Sequence, residues 1–390
     1  MATFEVPVVR IKAIEPIEGA DTIELAVIGD FRSVVRKGQY RAGDLAVYIP
    51  EQSILPPPLI AALGMEGKLA GPNHNRVKAV KLRGVLSQGV LMPVDYVWKY
   101  HVNFEECPEC NTWDWQSDWT DEDILNMNVA PIVGITKHNP PVPTHLSGEV
   151  YNAGRELTVV YDIENFKKYP DILVEGEEVT FTEKLHGTFC GVGVLPRADH
   201  NDMHYKREFV VFSKGLGADG LCFKDVSLNQ NNAYINALTK AGVFDRLRDL
   251  RDRSEEEHEF DKPLFLLGEV FGQGIQDLTY GTELTFRLFD VVAGYRGNQR
   301  YFDEDEKQLV ADQLGIPRVP VLYRGPFSRE VMYKYTDGME TVSGKEVHFR
   351  EGIVVTPIVE RMDPTIGRVI LKSVSEKYLT RKNKNATEFQ

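Results

Sequence analysis

The stretch of the 390-residue chain best suited to covalent chemistry is Thr182-Glu183-Lys184-Leu185-His186-Gly187-Thr188. Its lysine closes a run of strand-forming residues, Glu178–Glu183, and a glycine follows closely. A lysine so placed can point into a pocket, and the glycine lets backbone approach a phosphate. A protonated lysine is a poor nucleophile, with a free pKa of about 10.4, so the role demands desolvation or a cationic neighbour. Taken alone, the peptide is most simply a solvated lysine ahead of a turn.

Other chemical signals are weaker. Gly215-Leu216-Gly217-Ala218-Asp219-Gly220 fits G-x-G-x-x-G formally. A dinucleotide fold needs a helix opening at once and an acidic strand end about twenty residues on. That point falls inside the helix expected over Ser227–Ala241, so the glycines read as a turn. Cys107-Pro108-Glu109-Cys110 is half a zinc site without a second CxxC, and only scattered groups such as His101 or His138 would complete it. Free thiols or a loop is the simpler reading. Trp113, Trp115 and Trp119 are interleaved with acids that repel phosphate, which favours packing over base stacking. Arg246–Lys262 reads as a solvated helix end and loop, and Lys377–Lys384 as either a nucleic-acid contact or a solvated tail.

The elements that must position these residues fall into three stretches. Residues 1–100 carry short apolar runs (Phe4–Ile11, Ile23–Ile28, Phe31–Val35, Leu45–Ile49, Val77–Leu82, Gly89–Pro93) separated by turn signals such as Gly29-Asp30 and Arg83-Gly84. That spacing favours a small barrel or sandwich. Residues 101–150, rich in proline and acids, read as a connector. In 151–390 strands are expected at Glu178–Glu183, Cys190–Val194, Phe209–Ser213, Phe265–Phe271, Thr285–Val291, Gly352–Thr356 and Val369–Ser373. Helices are expected at Ser227–Ala241, Asp303–Leu314 and Ser328–Thr336. Strands outnumber helices without regular βαβ alternation, so a multidomain α+β chain with an antiparallel-rich second domain is expected.

Net charge is −13, which argues against indiscriminate coating of nucleic acid but leaves room for a local basic groove. No window approaches the roughly 18 apolar residues of a membrane span, and Met1–Pro16 does not read as a signal peptide. Four cysteines in this length give no disulfide framework. A cytoplasmic protein without membrane contact is expected.

Several motifs together carry a family resemblance. Residues 18–50 resemble OB-fold modules of the tRNA-binding kind, which favours a barrel for residues 1–100. The peptide around Lys184 resembles the adenylylation motif of covalent nucleotidyltransferases. DNA ligases and capping enzymes generally carry Asp where this chain has His186, and Glu-Lys-x-His-Gly-Thr resembles the RNA ligases. Leu267–Gly272, Phe286–Asp290, Arg350–Val355 and Arg368–Ser373 resemble that family's further motifs in the family's order, and Phe212-Ser213-Lys214-Gly215 matches its sugar-contacting element more weakly. Together with the OB-like module and Val133-Gly134-Ile135-Thr136-Lys137, they make the chain similar to the Deinococcus-type RNA ligases.

The resemblance implies an ATP-grasp-like adenylyltransferase domain over 151–390. Lys184 would attack the α-phosphate of ATP, the AMP donor. Glu351 and Lys372 would serve catalysis, with Glu269 and Glu351 holding Mg²⁺ or Mn²⁺. Glu183, His186, Gly187, Lys214, Glu269, Phe289 and Asp290 would form the ATP site, Phe289 stacking on adenine. AMP would pass to a 5′-phosphate, and a 3′-hydroxyl would displace it. The implied substrate is RNA or a nicked RNA/DNA duplex, gripped by the OB-like module, with RNA repair as the setting. Ile370 stands where the last motif often has lysine, so one phosphate contact is missing or supplied elsewhere, Arg368 being the nearest cation. Phe189 stands where many RNA ligases have Asn. A DNA nick ligase, a capping-type guanylyltransferase and a non-catalytic OB-type binding protein remain as alternatives.

Overall fold

Alternating β-branched and polar residues on either side of Gly29-Asp30 produce an antiparallel hairpin, Ile23–Ile28 with Phe31–Arg36, as a two-residue turn signal between apolar runs requires. Ala13–Pro16 adds a third strand. Val8–Arg10, Leu45–Ile49 and Val90–Pro93 form a second three-stranded sheet. The expected strand at Val77–Leu82 shortens to Val80–Leu82 and pairs with Val85–Ser87 around Arg83-Gly84. This computed structural model describes residues 4–100, 120–139, 142–196, 208–225, 227–256 and 261–381. The Cys107/Cys110 pair and Trp113, Trp115 and Trp119 lie outside them.

The chain divides into two units, Ala2–Asn139 and Pro140–Gln390. Residues 120–139, assigned to a connector on sequence grounds, contribute to the first unit. Val129, Ile132, Val133 and Ile135 are buried with Val47, Ile49, Leu59 and Met92, and Thr136–Lys137 pairs with Ser53–Ile54.

The second unit is built on Glu164–Asn165 (β1), Glu178–Lys184 (β2), Thr188–Val194 (β3), Phe209–Ser213 (β4), Leu264–Phe271 (β5), Thr285–Ala293 (β6), Arg300–Tyr301 (β7), Val321–Pro326 (β8), Gly352–Pro357 (β9) and Leu371–Val374 (β10). One sheet runs β1-β10-β9-β2-β8 and the other β4-β3-β5-β6-β7. Their pairings are antiparallel except β1 with β10, the antiparallel-rich α+β arrangement expected. Leu185-His186-Gly187 is the whole connection from β2 in the first sheet to β3 in the second. β5 is apolar on both faces for a physical reason. Leu264 and Leu266 pack with Ala237, Leu238 and Leu247 on the helical side, while Phe265 and Leu267 pack with Leu157, Tyr161 and Ile370.

The helices are Lys214–Asp219 (α1), Ala233–Lys240 (α2), Val243–Glu256 (α3), Glu304–Leu314 (α4), Arg329–Thr336 (α5) and Glu376–Leu379 (α6). Asp303 and Glu306 close a capping box on α4, and Ser328 caps α5; helices were expected at both places. Three expectations need correction. The helix expected from Ser227 starts at Ala233, because Asn232 caps it and Asn229 instead holds Glu149 and Lys224 backbone in a loop. The Gly215–Gly220 turn is a short helix stopped by Gly220 at φ +77°. The stretch from Arg246 is no mere solvated end: α3 buries Val243 and Leu247 and pairs Arg248 and Arg251 with Glu208. Among the described residues, no helix is long and apolar enough to cross a membrane.

Candidate active site

Strand register brings the site together. β2 pairs with β9 so that Lys184 lies opposite Gly352, one residue beyond Glu351, and Lys184 Nζ donates to Glu351 Oε1 at 2.5 Å. Lys372 enters from β10, opposite Val354 of β9. The second sheet supplies Phe189 from β3, Glu269 from β5 and Phe289 from β6, and Lys214 opens α1 directly after β4. Lys184, Lys214, Glu269 and Lys372 line one cleft with Tyr161, Phe189, Phe289 and Val354. Tyr161 stacks on Phe289 and Phe189 at centroid distances of 5.2 and 5.5 Å, giving the cleft an aromatic wall.

The charges are tuned by burial and by one another. Burial raises the Glu269 carboxyl to about 8; the charge of Lys184 opposes this and that of Glu351 adds to it. Burial would raise Glu351 too, but the Lys184 charge 2.5 Å away holds it at about 2. Burial, with repulsion from Lys184 and Lys214, lowers Lys372 to about 8. Lys214 pairs with Asp162 at 2.7 Å. Such a group of cations beside a buried carboxylate can neutralise a polyphosphate and can spare a lysine proton.

The other expected residues divide by role. Glu183 lines the cleft, and its Oε2 accepts from Thr341 N (2.9 Å) and Oγ1 (2.6 Å). Its Oε1 has no hydrogen-bond partner among the described residues, and burial raises its pKa against the Thr341 bonds. Asp290 reaches the cleft, yet its Oδ2 is held by Arg368 (2.5 Å) and Tyr161 (2.9 Å) and its Oδ1 by Val291 N. His186 is 1% exposed and stands behind Glu351, its Nδ1 3.7 Å from Glu351 Oε2. Gly187 is not among the residues that line the cleft. Its missing Cβ would lie 2.8 Å from Glu269 Cγ and against the Val270 carbonyl, so glycine is needed for β5 to come close. Ile370 is packed in the core at 4% exposure, and Arg368 does not supply the missing cation. Both carboxylates of Asp290 and Glu360 hold it, and it stacks on Tyr301 at 3.9 Å. Phe189 belongs to the aromatic wall.

Sequence reasoning missed Tyr161, Asp162, Thr341, and the buried pair Glu304 and Lys307, 3.2 Å apart, which also line or adjoin the cleft. None sits in a motif with its own spacing signal, although the acidic start of α4 did announce Glu304.

The RNA ligase family profile matches residues 177–374 and an OB-fold domain profile matches residues 5–94. The chain belongs to the RNA ligase family. Its fold is that of the Naegleria gruberi RNA ligase. A structure of that enzyme with ATP and manganese aligns at a TM-score of 0.71 and 22% identity, covering 96% of this chain and 98% of the other. A structure with pyrophosphate gives 0.71 and 22% over 97% and 98%, and one with AMP and manganese gives 0.70 and 22% over 96% and 97%. No curated protein sequence matches significantly.

Proposed function

We propose that the chain is an ATP-dependent RNA ligase of the Deinococcus type that seals 3′-hydroxyl and 5′-phosphate ends at nicks in duplexes. The observation that carries this reading is the convergence of Lys184, Glu269, Lys372 and Lys214 from two sheets on one cleft with an aromatic wall, with Glu351 2.5 Å from Lys184. The OB-fold unit ahead of the ligase domain and the Lys-Leu-His-Gly-Thr peptide support the Deinococcus-type assignment. Bound ATP, AMP and pyrophosphate in structures of the same fold support the nucleotide.

In the first step Lys184 Nζ, having lost its proton, bonds to the α-phosphorus of ATP. The bond to the bridging oxygen breaks and pyrophosphate leaves. Lys372 and Lys214 bear on the phosphates, and Phe289 with Glu183 receives the adenine. AMP then passes to the 5′-phosphate of one strand, and the 3′-hydroxyl of the other displaces it to form the phosphodiester. Among the described residues, no cluster of three or more His, Cys, Asp or Glu could hold a metal by itself. That suits Mg²⁺ or Mn²⁺, which bind through one or two carboxylates together with substrate phosphates. Glu269, half-buried in the cleft wall, and Glu351 are the groups that would hold it. The ion supplies further neutralisation of the phosphates when bound.

The test is incubation with α-³²P ATP and a divalent metal, then denaturing electrophoresis, beside Lys184→Ala. Label confined to the unmutated chain is expected. No label on a folded chain already discharged with pyrophosphate would remove the proposal. Nicked duplexes with RNA or DNA at the 3′-hydroxyl end then decide the substrate: ligation should be at least tenfold faster with RNA. Equal rates would favour a DNA nick ligase.

A further inference from the structure

Behind Glu351 the charges continue in alternating sign away from the cleft. Lys184 Nζ is 2.5 Å from Glu351 Oε1, and Glu351 Oε2 is 3.7 Å from His186 Nδ1. His186 Nε2 is 2.6 Å from Asp277 Oδ1, and Asp277 Oδ2 is 3.2 Å from Arg381 Nε. The side chains of His186, Asp277 and Arg381 are 1%, 7% and 6% exposed, and that of Glu351 is 10% exposed. Asp277 belongs to none of the motifs of the ligase resemblance. It sits in the loop between β5 and β6, next to Gln276, a non-glycine residue held at φ +56°, a conformation that costs energy and persists only when surroundings enforce it. Those surroundings are visible: the Gln276 amide donates to the Gly187 carbonyl, and Tyr280 OH accepts from His186 N at 2.7 Å. The loop is thus clamped onto the Leu185–Gly187 connection, with Asp277 aimed at the imidazole.

We propose that Asp277 is a positioning residue for adenylylation of Lys184, acting by fixing the ring and the Nε2 proton of His186, which in turn fixes Glu351. The proposal rests on the ligase reading above. The chemistry determines the tautomer: an ionised carboxylate only accepts, so Nε2 carries a hydrogen. Nδ1 lies 2.8 Å from Tyr378 OH, so both ring edges are held. Tyr378 comes from α6, and Arg381 follows that helix and stacks on the Tyr378 ring at 3.6 Å. A carboxylate that orients a histidine behind a reacting group is a known physical device, because it removes both ring rotation and tautomer choice.

The experiment is rapid-quench, single-turnover formation of lysyl-AMP from α-³²P ATP at saturating manganese. The full-length chain is compared with Asp277→Asn, His186→Asn and the double variant, with thermal unfolding of each. Loss of an outer-layer partner typically costs roughly 10–100-fold, and that loss in rate constant is expected for Asp277→Asn, with half-saturation by ATP unchanged within about threefold. The double variant should be no slower than His186→Asn alone within about twofold, because the two residues act as one unit. A rate for Asp277→Asn within twofold of the unmutated chain, or losses that multiply in the double variant, would overturn the proposal. Failure of the unmutated chain to label would instead remove the ligase reading and the proposal together. Should Asp277→Asn fail to fold, ¹⁵N-histidine NMR of the unmutated chain decides. A slowly exchanging low-field Nε2–H resonance absent from His186→Asn is expected, and its absence refutes the assignment.

Discussion

Replacing Arg368 by methionine removes the cation that balances the buried Asp290 and the half-buried Glu360. Its guanidinium donates three hydrogen bonds, one to Asp290 and two to Glu360. Asp290 is 1% exposed and Arg368 9%. Methionine preserves most of the stem volume, so the loss is electrostatic. Removing one partner of such a pair costs about 3–5 kcal/mol, because the other charge stays buried. With a urea m-value of roughly 3 kcal/mol/M this shifts the midpoint by about 1–2 M. Far-UV circular dichroism should report the shift. The pH dependence has a definite sign. Burial alone would raise Asp290, but Arg368 and Lys307 hold it below its ordinary value. In the unmutated chain its contribution is therefore present above the unfolded carboxylate pKa and is lost as pH falls through the lower folded value. Without Arg368, burial raises the folded pKa, and stability instead falls as pH rises from about 4. The gap between the two proteins should widen from pH 5 to pH 7. A gap below about 1 kcal/mol, or one independent of pH, would show that Arg368 does not neutralise Asp290.

Gly187→Ala should destabilise the second unit by about 1–3 kcal/mol through overpacking against Glu269 and Phe271, and slow lysyl-AMP formation at least tenfold; unchanged thermal unfolding would contradict the close approach. Phe289→Ala should weaken ATP binding by about 1–3 kcal/mol, the worth of one base–aromatic stack, measured by isothermal titration with Lys184→Ala as the binding-competent background; an unchanged Kd would place the adenine elsewhere. Asn232→Ala removes the α2 cap and the bond to the Ser147 carbonyl. A loss of about 1–2 kcal/mol is expected in urea unfolding, and a loss under 0.5 kcal/mol would mean the loop re-forms the cap with water.

Much of the site was legible because its chemistry sits on or beside strands. Lys184, Glu269, Phe289, Glu351 and Lys372 lie on or beside short apolar runs, and antiparallel pairing placed them together. What escaped lies in segments where tertiary partners override local pattern. Asp277 belongs to an irregular loop whose geometry is set by Gly187 and His186, ninety residues earlier in the chain. Arg368 looked like a spare phosphate ligand, since nothing local reveals that Asp290 and Glu360 claim it. The helix start at Ala233 was misplaced because Asn229 bonds backbone eighty residues away. Arg381, in a stretch that reads as a charged tail, is buried for the same kind of reason.

The connection Leu185-His186-Gly187 serves geometry as well as chemistry, since Leu185 packs with Phe271, Tyr280 and Val319 and Gly187 admits β5. A screen for cellular abundance, blind to ligation, would therefore still mark this peptide as intolerant. Lys184→Ala, which cuts a 24% exposed side chain at the cleft, should lose less in that screen than Leu185 and Gly187 substitutions. Abundance and activity maps of the chain should diverge at Lys184 and coincide at its neighbours.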